Sequence, residues 1–117
     1  MDKFIQQLNQ EFESSSGSTP QWKAFYRLAC STFKKGLKTF ATDIKMSRGH
    51  FEFSGFFTAK TGQMFYFSLS DVRFFRMGKL LIRTASSYKD YSGGQNQYVS
   101  VNGDMFENIK RISERKY

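Results

Sequence analysis

From Trp22 onward, apolar side chains recur at helical spacing. Trp22, Phe25, Tyr26, Ala29, Phe33, Leu37 and Phe40 fall at i, i+3, i+4 and i+7 intervals and gather on one stripe. Thr19 suits the N-cap, and Pro20 the first helical position, where its missing N–H costs nothing. The pattern predicts a main helix over 20–41, with Trp22, Phe25, Phe33 and Phe40 in the core. Gly36 sits at the edge of the stripe, where it either permits close packing or weakens the helix. Upstream, Phe4, Ile5, Leu8 and Phe12 predict a short helix within residues 1–13. "ESSSGST" reads as a hinge covering 14–19. Residues 42–48, which include "TDIKM", are consistent with a last helical turn or an incoming strand.

After Gly49 the period changes from helical to alternating. "HFEFSGFFTA", "QMFYFSLS", "KLLIRTASS" and "QYVSV" predict four strands between 50 and 101, the first two joined at the turn signal "KTG". Gly55 interrupts the alternation and suggests a bulge. The chain closes on a helix over 104–114, with Asp104 as the expected cap, Glu107 three residues on, and Met105, Ile109 and Ile112 on one face. The resulting order, α-α-β-β-β-β-α, predicts an α+β single domain (1–117). Its four-stranded antiparallel meander is covered on one face by helices.

Composition adds a core and a charge. Fourteen Phe residues within 117 supply enough apolar material to fold without disulfides or metal. The single Cys30 excludes an internal disulfide framework and fits a reducing compartment. No apolar run approaches the roughly 20 residues of a membrane span. The polar start "MDKFIQQLNQEF" is unlike a signal peptide, and a cytoplasmic protein without a membrane partner is expected. Eighteen Lys and Arg against ten acids leave a net charge of +8. That balance points to nucleic acid or to an acidic protein surface.

Signals for catalysis are thin, and a non-enzyme without cofactor or metal is expected. His50 is the only histidine, so no His pair exists for a metal. It opens a predicted strand, where a turn or edge histidine is the commoner role. Cys30 lies between the apolar and basic stripes of the main helix and reads as a packed thiol. A small-ligand pocket near Cys30 and His50 is the weakest of the functional alternatives. Glu52 and Asp71 form no acid/base couple, Asp90 and Asp104 have no metal-loop spacing, and no phosphate-binding glycine motif is present. "MFYFSLS" lacks the basic-Gly-aromatic signature of sheet-type RNA binders, and the β-α-β-β-α-β order is absent.

Placement of the charge is more informative. With Lys23 at 0°, Arg27, Lys34 and Lys38 fall at about 40°, 20° and 60° around the main helix. Lys45 extends the row if the helix continues. From Pro20 to Lys38 there are five Lys or Arg and no acid, whereas solvated helices usually interleave both signs. A second cluster lies in "RTASSYKDYSGGQNQYV", where Arg83, Tyr88, Lys89, Tyr91 and Asn96 surround a Gly-Gly turn. Such a loop stacks bases while donating hydrogen bonds to phosphate or base edges. Asn96 suits a positive-φ turn position, and Tyr98 opens the next strand and reads as core. Lys110, Arg111, Arg115 and Lys116 complement a helix C-terminus and require no ligand.

The expectation is therefore a small basic nucleic-acid-binding protein. Phosphates follow Lys23, Arg27, Lys34 and Lys38, with Arg83, Tyr88, Lys89, Tyr91 and Asn96 as a second contact. The alternative is a protein-interaction module docking on an acidic surface of a larger partner, as accessory or inhibitory proteins of phages and mobile elements do. Tyr and Arg suit protein hot spots as well as bases.

Overall fold

The computed structural model describes residues 20–48, 52–71, 79–88, 90 and 94–115. The expected N-terminal helix and hinge, His50, Lys89 and Tyr91 lie outside them. The described chain runs α1 (Pro20–Leu37), β1 (Ala41–Arg48), β2 (Glu52–Ala59), β3 (Met64–Asp71), β4 (Lys79–Ala85), β5 (Asn96–Ser100) and α2 (Met105–Ser113). All neighbouring strands are antiparallel and stand in sequence order. Both helices pack on one face of this meander.

The sheet has five strands, which corrects the four-stranded arrangement expected from the sequence. Residues 41–48, left open between helix and strand, form the additional edge strand β1. The main helix ends at Leu37 rather than at 41, and a turn at 38–40 carries Phe40 into the core. A register shift between Ala41 and Asp43 explains the ambiguity. It separates the core-side residues Ala41 and Ile44 by three positions, as a helix would, before Ile44 and Met46 return to a spacing of two. A bulge at the start of a strand thus imitates the end of a helix.

Gly55 is not a bulge. It pairs in register with Met46 and Phe67, while β2 and β3 shift between Glu52 and Ser54. Its role is clearance: a Cβ there would lie 2.6 Å from the Lys45 carbonyl oxygen and 2.7 Å from Phe67 Cζ. Gly36 likewise gives room to the Phe106 ring, 2.6 Å from where a Cβ would stand, and so brings α1 onto α2. The β2–β3 hairpin turns through Lys60–Gly62 with positive φ at Gly62, whose N–H donates to the Ala59 carbonyl at 2.9 Å. A left-handed glycine at this place is what a three-residue hairpin loop calls for.

The core alternates along the strands as the pattern requires. Phe53, Phe57, Phe65, Phe67, Leu80, Ile82 and Val99 face the helices and meet Phe25, Ala29, Phe33 and Leu37 of α1. From α2 come Met105, Ile109 and Ile112. Asp104 precedes α2 but makes no side-chain cap. Asn102 serves the entry instead, its side-chain oxygen accepting the Asp104 N–H at 2.9 Å and its carbonyl the Met105 N–H at 3.2 Å.

Two substitutions test this packing by urea denaturation. Phe33→Ala is expected to cost about 3–5 kcal/mol through lost burial and a cavity. Gly55→Ala is expected to cost about 1–3 kcal/mol, because a strand carbonyl and a packed ring must both move. A Gly55→Ala variant as stable as the parent would mean that Phe67 does not lie across this position.

Candidate binding surfaces

The residues expected to form one site separate onto two surfaces. Lys23, Arg27, Lys34 and Lys38 are exposed around α1 and the turn that follows it. Arg83, Tyr88 and Asn96 belong to β4, its following loop and β5, on the sheet face turned away from the helices. Lys45 does not extend the α1 row. It stands on β1, exposed, on that second face beside Phe56.

On the second face a ladder crosses every strand: Lys45 pairs with Phe56, Phe56 with Tyr66, Tyr66 with Arg83, and Arg83 with Asn96. The rings of Phe56 and Tyr66 lie 5.1 Å apart, and the Arg83 guanidinium sits 5.9 Å from the Tyr66 ring centroid. Arg83 Nε donates to Asn96 Oδ1 at 2.6 Å. Asn96 therefore opens β5 as a bonded strand residue, and among the described loop residues the positive φ is at Gly94. Tyr98, expected in the core, faces solvent at 62% exposure opposite Leu81.

Tyr88 is engaged by its own protein. Its hydroxyl donates to Asp43 Oδ2 of β1 and lies 2.9 Å from Thr58 Oγ1, which donates to it in turn. Its ring packs edge-on to Phe56 at 5.9 Å and lies 5.2 Å from Lys45 Nζ. Nearby, Asp90 braces the loop by accepting from the Ser86 N–H and hydroxyl at 3.0 and 3.1 Å. The loop tyrosine thus latches the β4–β5 connection to β1 and β2, a use that period and composition could not reveal.

The helix surface has a different character. Lys34 and Lys38 border two adjoining depressions. The larger, an open groove of about 590 Å³, is lined by Tyr26, Arg27, Cys30 and Ser31 along α1. The smaller, about 310 Å³, runs against Ala41, Thr42, Asp43 and Ile44 of β1. Tyr26, Cys30, Ala41 and Ile44 are half-buried extensions of the core, so the floor is partly apolar while the rim is cationic. The sequence marked the rim and the α1 part of the floor, Tyr26 and Cys30, but not the β1 part, Ala41 and Ile44, because residues 42–48 read as either helix or strand.

Part of the stripe has a structural cause. Lys34 and Lys35 occupy the last turn of α1, where the helix dipole favours positive charge. Lys23 and Arg27 have no such cause: they stand in the first half, and the first turn carries no acid. Among the described residues no cluster of three His, Cys, Asp or Glu side chains is placed to hold a metal, and no helix is long and apolar enough to cross a membrane.

Burial raises the Tyr88 phenol above its ordinary value, and the hydrogen bond it donates to the Asp43 carboxylate raises it further, against a smaller opposing effect of Thr58. Folding holds this proton more tightly than the unfolded chain does. Its contribution to stability is thus full below the unfolded value, about pH 10, and is lost as pH rises through the folded value. Tyr88→Phe is expected to cost about 0.5–1.5 kcal/mol at neutral pH. In urea titrations above pH 10 the gap between parent and variant should narrow. A gap that stays constant with pH would show that the hydroxyl is not so bonded.

In comparisons with known proteins, no family model, no curated protein and no solved structure matches this chain.

Proposed function

We propose that this protein is a non-catalytic protein-interaction module that docks an acidic segment of a larger partner in the groove between α1 and β1. The observation that carries the reading is a pair of lysines, Lys34 and Lys38, shared by two depressions with partly apolar floors: Tyr26 and Cys30 beside Arg27 along α1, and Ala41 and Ile44 against β1. A polypeptide offers carboxylates to the rim and apolar groups to the floor at once. A phosphate backbone uses only the rim. Of the described residues in the loop half of the expected nucleic-acid site, Tyr88 is bonded within the fold and Arg83 with Asn96 lies on the opposite sheet face.

Nucleic-acid binding remains the second reading, favoured by one observation: Lys23 and Arg27 stand exposed away from the last turn of α1, where the dipole gives them no stabilisation. The two readings separate by salt. The probes are a blocked peptide alternating Glu and Val over about eight residues, the length of β1, and single- and double-stranded oligonucleotides of about 16 nucleotides. At about 0.15 M salt the peptide is expected to bind, and Lys34→Gln with Lys38→Gln to weaken it at least tenfold. Lys79→Gln with Lys110→Gln, which removes the same charge elsewhere, should change it little. Preferential oligonucleotide binding, with a salt slope that flattens by about 1.4–1.8 on the Lys34 and Lys38 substitutions, would give the function to nucleic acid instead.

A further inference from the structure

The strand that sequence patterning did not resolve is also one of the two edge strands of the sheet. β1 pairs on one side with β2 and has no partner strand on its other side among the described residues. After the irregularity at its start, the register from Asp43 to Arg48 runs without a break. A regular edge of this kind presents a row of backbone N–H and C=O groups to any chain that can pair with them.

We propose that an extended, glutamate-rich segment of the partner adds to β1 as a sixth strand. This rests on the protein-docking reading above and states how that docking occurs. An added strand lies about 4.8 Å from β1 and points alternate side chains to the two sheet faces. Those on the helix face pass over Ile44 and Met46, both half-buried at the margin of the core, and come up against Lys34 and Lys38. Glutamate fits both demands: its methylene stem covers apolar surface while its carboxylate reaches an ammonium group, the counterpart of the way lysine stems lie on apolar surface. Those on the other face pass the exposed Asp43 and Lys45, whose opposite charges suit a neutral residue there. The partner therefore carries Glu at every second position, with strand-forming residues such as Val between.

Two other occupants fit less well. A second copy paired edge to edge would bring two sets of Lys34 and Lys38 toward one groove, on chains that each carry +8. A nucleic-acid backbone presents phosphate acceptors, so it can take hydrogen bonds from the edge N–H groups but leaves the edge carbonyls without donors. An extended peptide satisfies both kinds of group, and main-chain pairing supplies affinity while alternate side chains supply specificity.

The test uses the intact protein and the alternating Glu-Val peptide, with N-methyl groups placed on every second residue in each of the two possible registers. Strand addition predicts that one register abolishes binding, by at least tenfold, while the other is tolerated. Only alternate amides face β1, so only one set is needed. Amide hydrogen exchange between Asp43 and Arg48 should slow when the peptide is bound, and a Lys-Val peptide of equal length should not bind. If both methylated peptides bind as well as the parent and β1 exchange is unchanged, the acidic segment sits on α1 by charge alone. Strand addition is then wrong, while the docking reading stands. If no Glu-Val peptide binds, both fall. Slowing of the same amides with protein concentration and no peptide would assign the edge to a second copy.

Discussion

Phe33 is the point at which both helices meet the sheet. Fully buried on α1, it packs edge-on to Phe53 of β2 at 4.7 Å, lies nearly parallel to Phe67 of β3 at 5.2 Å, and meets Phe106 of α2 edge-on at 5.2 Å. Aromatic contacts in these geometries add roughly 0.5–1.5 kcal/mol each beyond the area they bury. Two glycines make the arrangement possible. Gly36 leaves room for the Phe106 ring against α1, and Gly55 leaves room for Phe67 over β2. The seat of α1 on the sheet, and with it the position of Lys34 and Lys38 beside β1, follows from this cluster.

The two sheet faces have been put to different uses. One is covered by helices and carries the phenylalanine core. The other holds the Lys45–Phe56–Tyr66–Arg83–Asn96 ladder, in which Phe56 is only 1% exposed. Part of that cover is Tyr88, which reaches back from the loop after β4 to bond with Asp43 and Thr58. A tyrosine that resembles a ligand contact in sequence therefore closes one side of the protein's own sheet. Asp43 belongs to both surfaces: its carboxylate accepts from Tyr88, and the residue also lines the depression bordered by Lys34 and Lys38.

The surface around Lys34 and Lys38 combines features that are weak separately. Cations near the C-terminal end of a helix have an electrostatic reason that involves no ligand. An edge strand is an ordinary feature of open sheets. Here a cationic rim, a half-buried apolar floor and a regular edge lie side by side. On the proposed reading they take up the carboxylates, side-chain stems and backbone of one extended chain.

Much of the fold was legible along the chain. The i, i+3, i+4 stripe placed α1, and Pro20 marked its first residue. Alternation placed the four strands β2 to β5, and Met105, Ile109 and Ile112 placed α2. These features are local, since each depends on a period that repeats within one element. The cationic stripe was legible for the same reason. Strand β1 was not, because a bulge changed its spacing to one a helix shares. The engagement of Tyr88 and the pairing of Arg83 with Asn96 were not legible either, because each depends on residues brought together by the sheet. Tyr88 and Asp43 are 45 positions apart, and no period links them. Sequence alone determined which residues seek the core and where positive charge collects. Tertiary structure decided which polar groups already have partners and which strands stand at the edges of the described sheet, because hydrogen bonds and strand pairing are settled by neighbours in space.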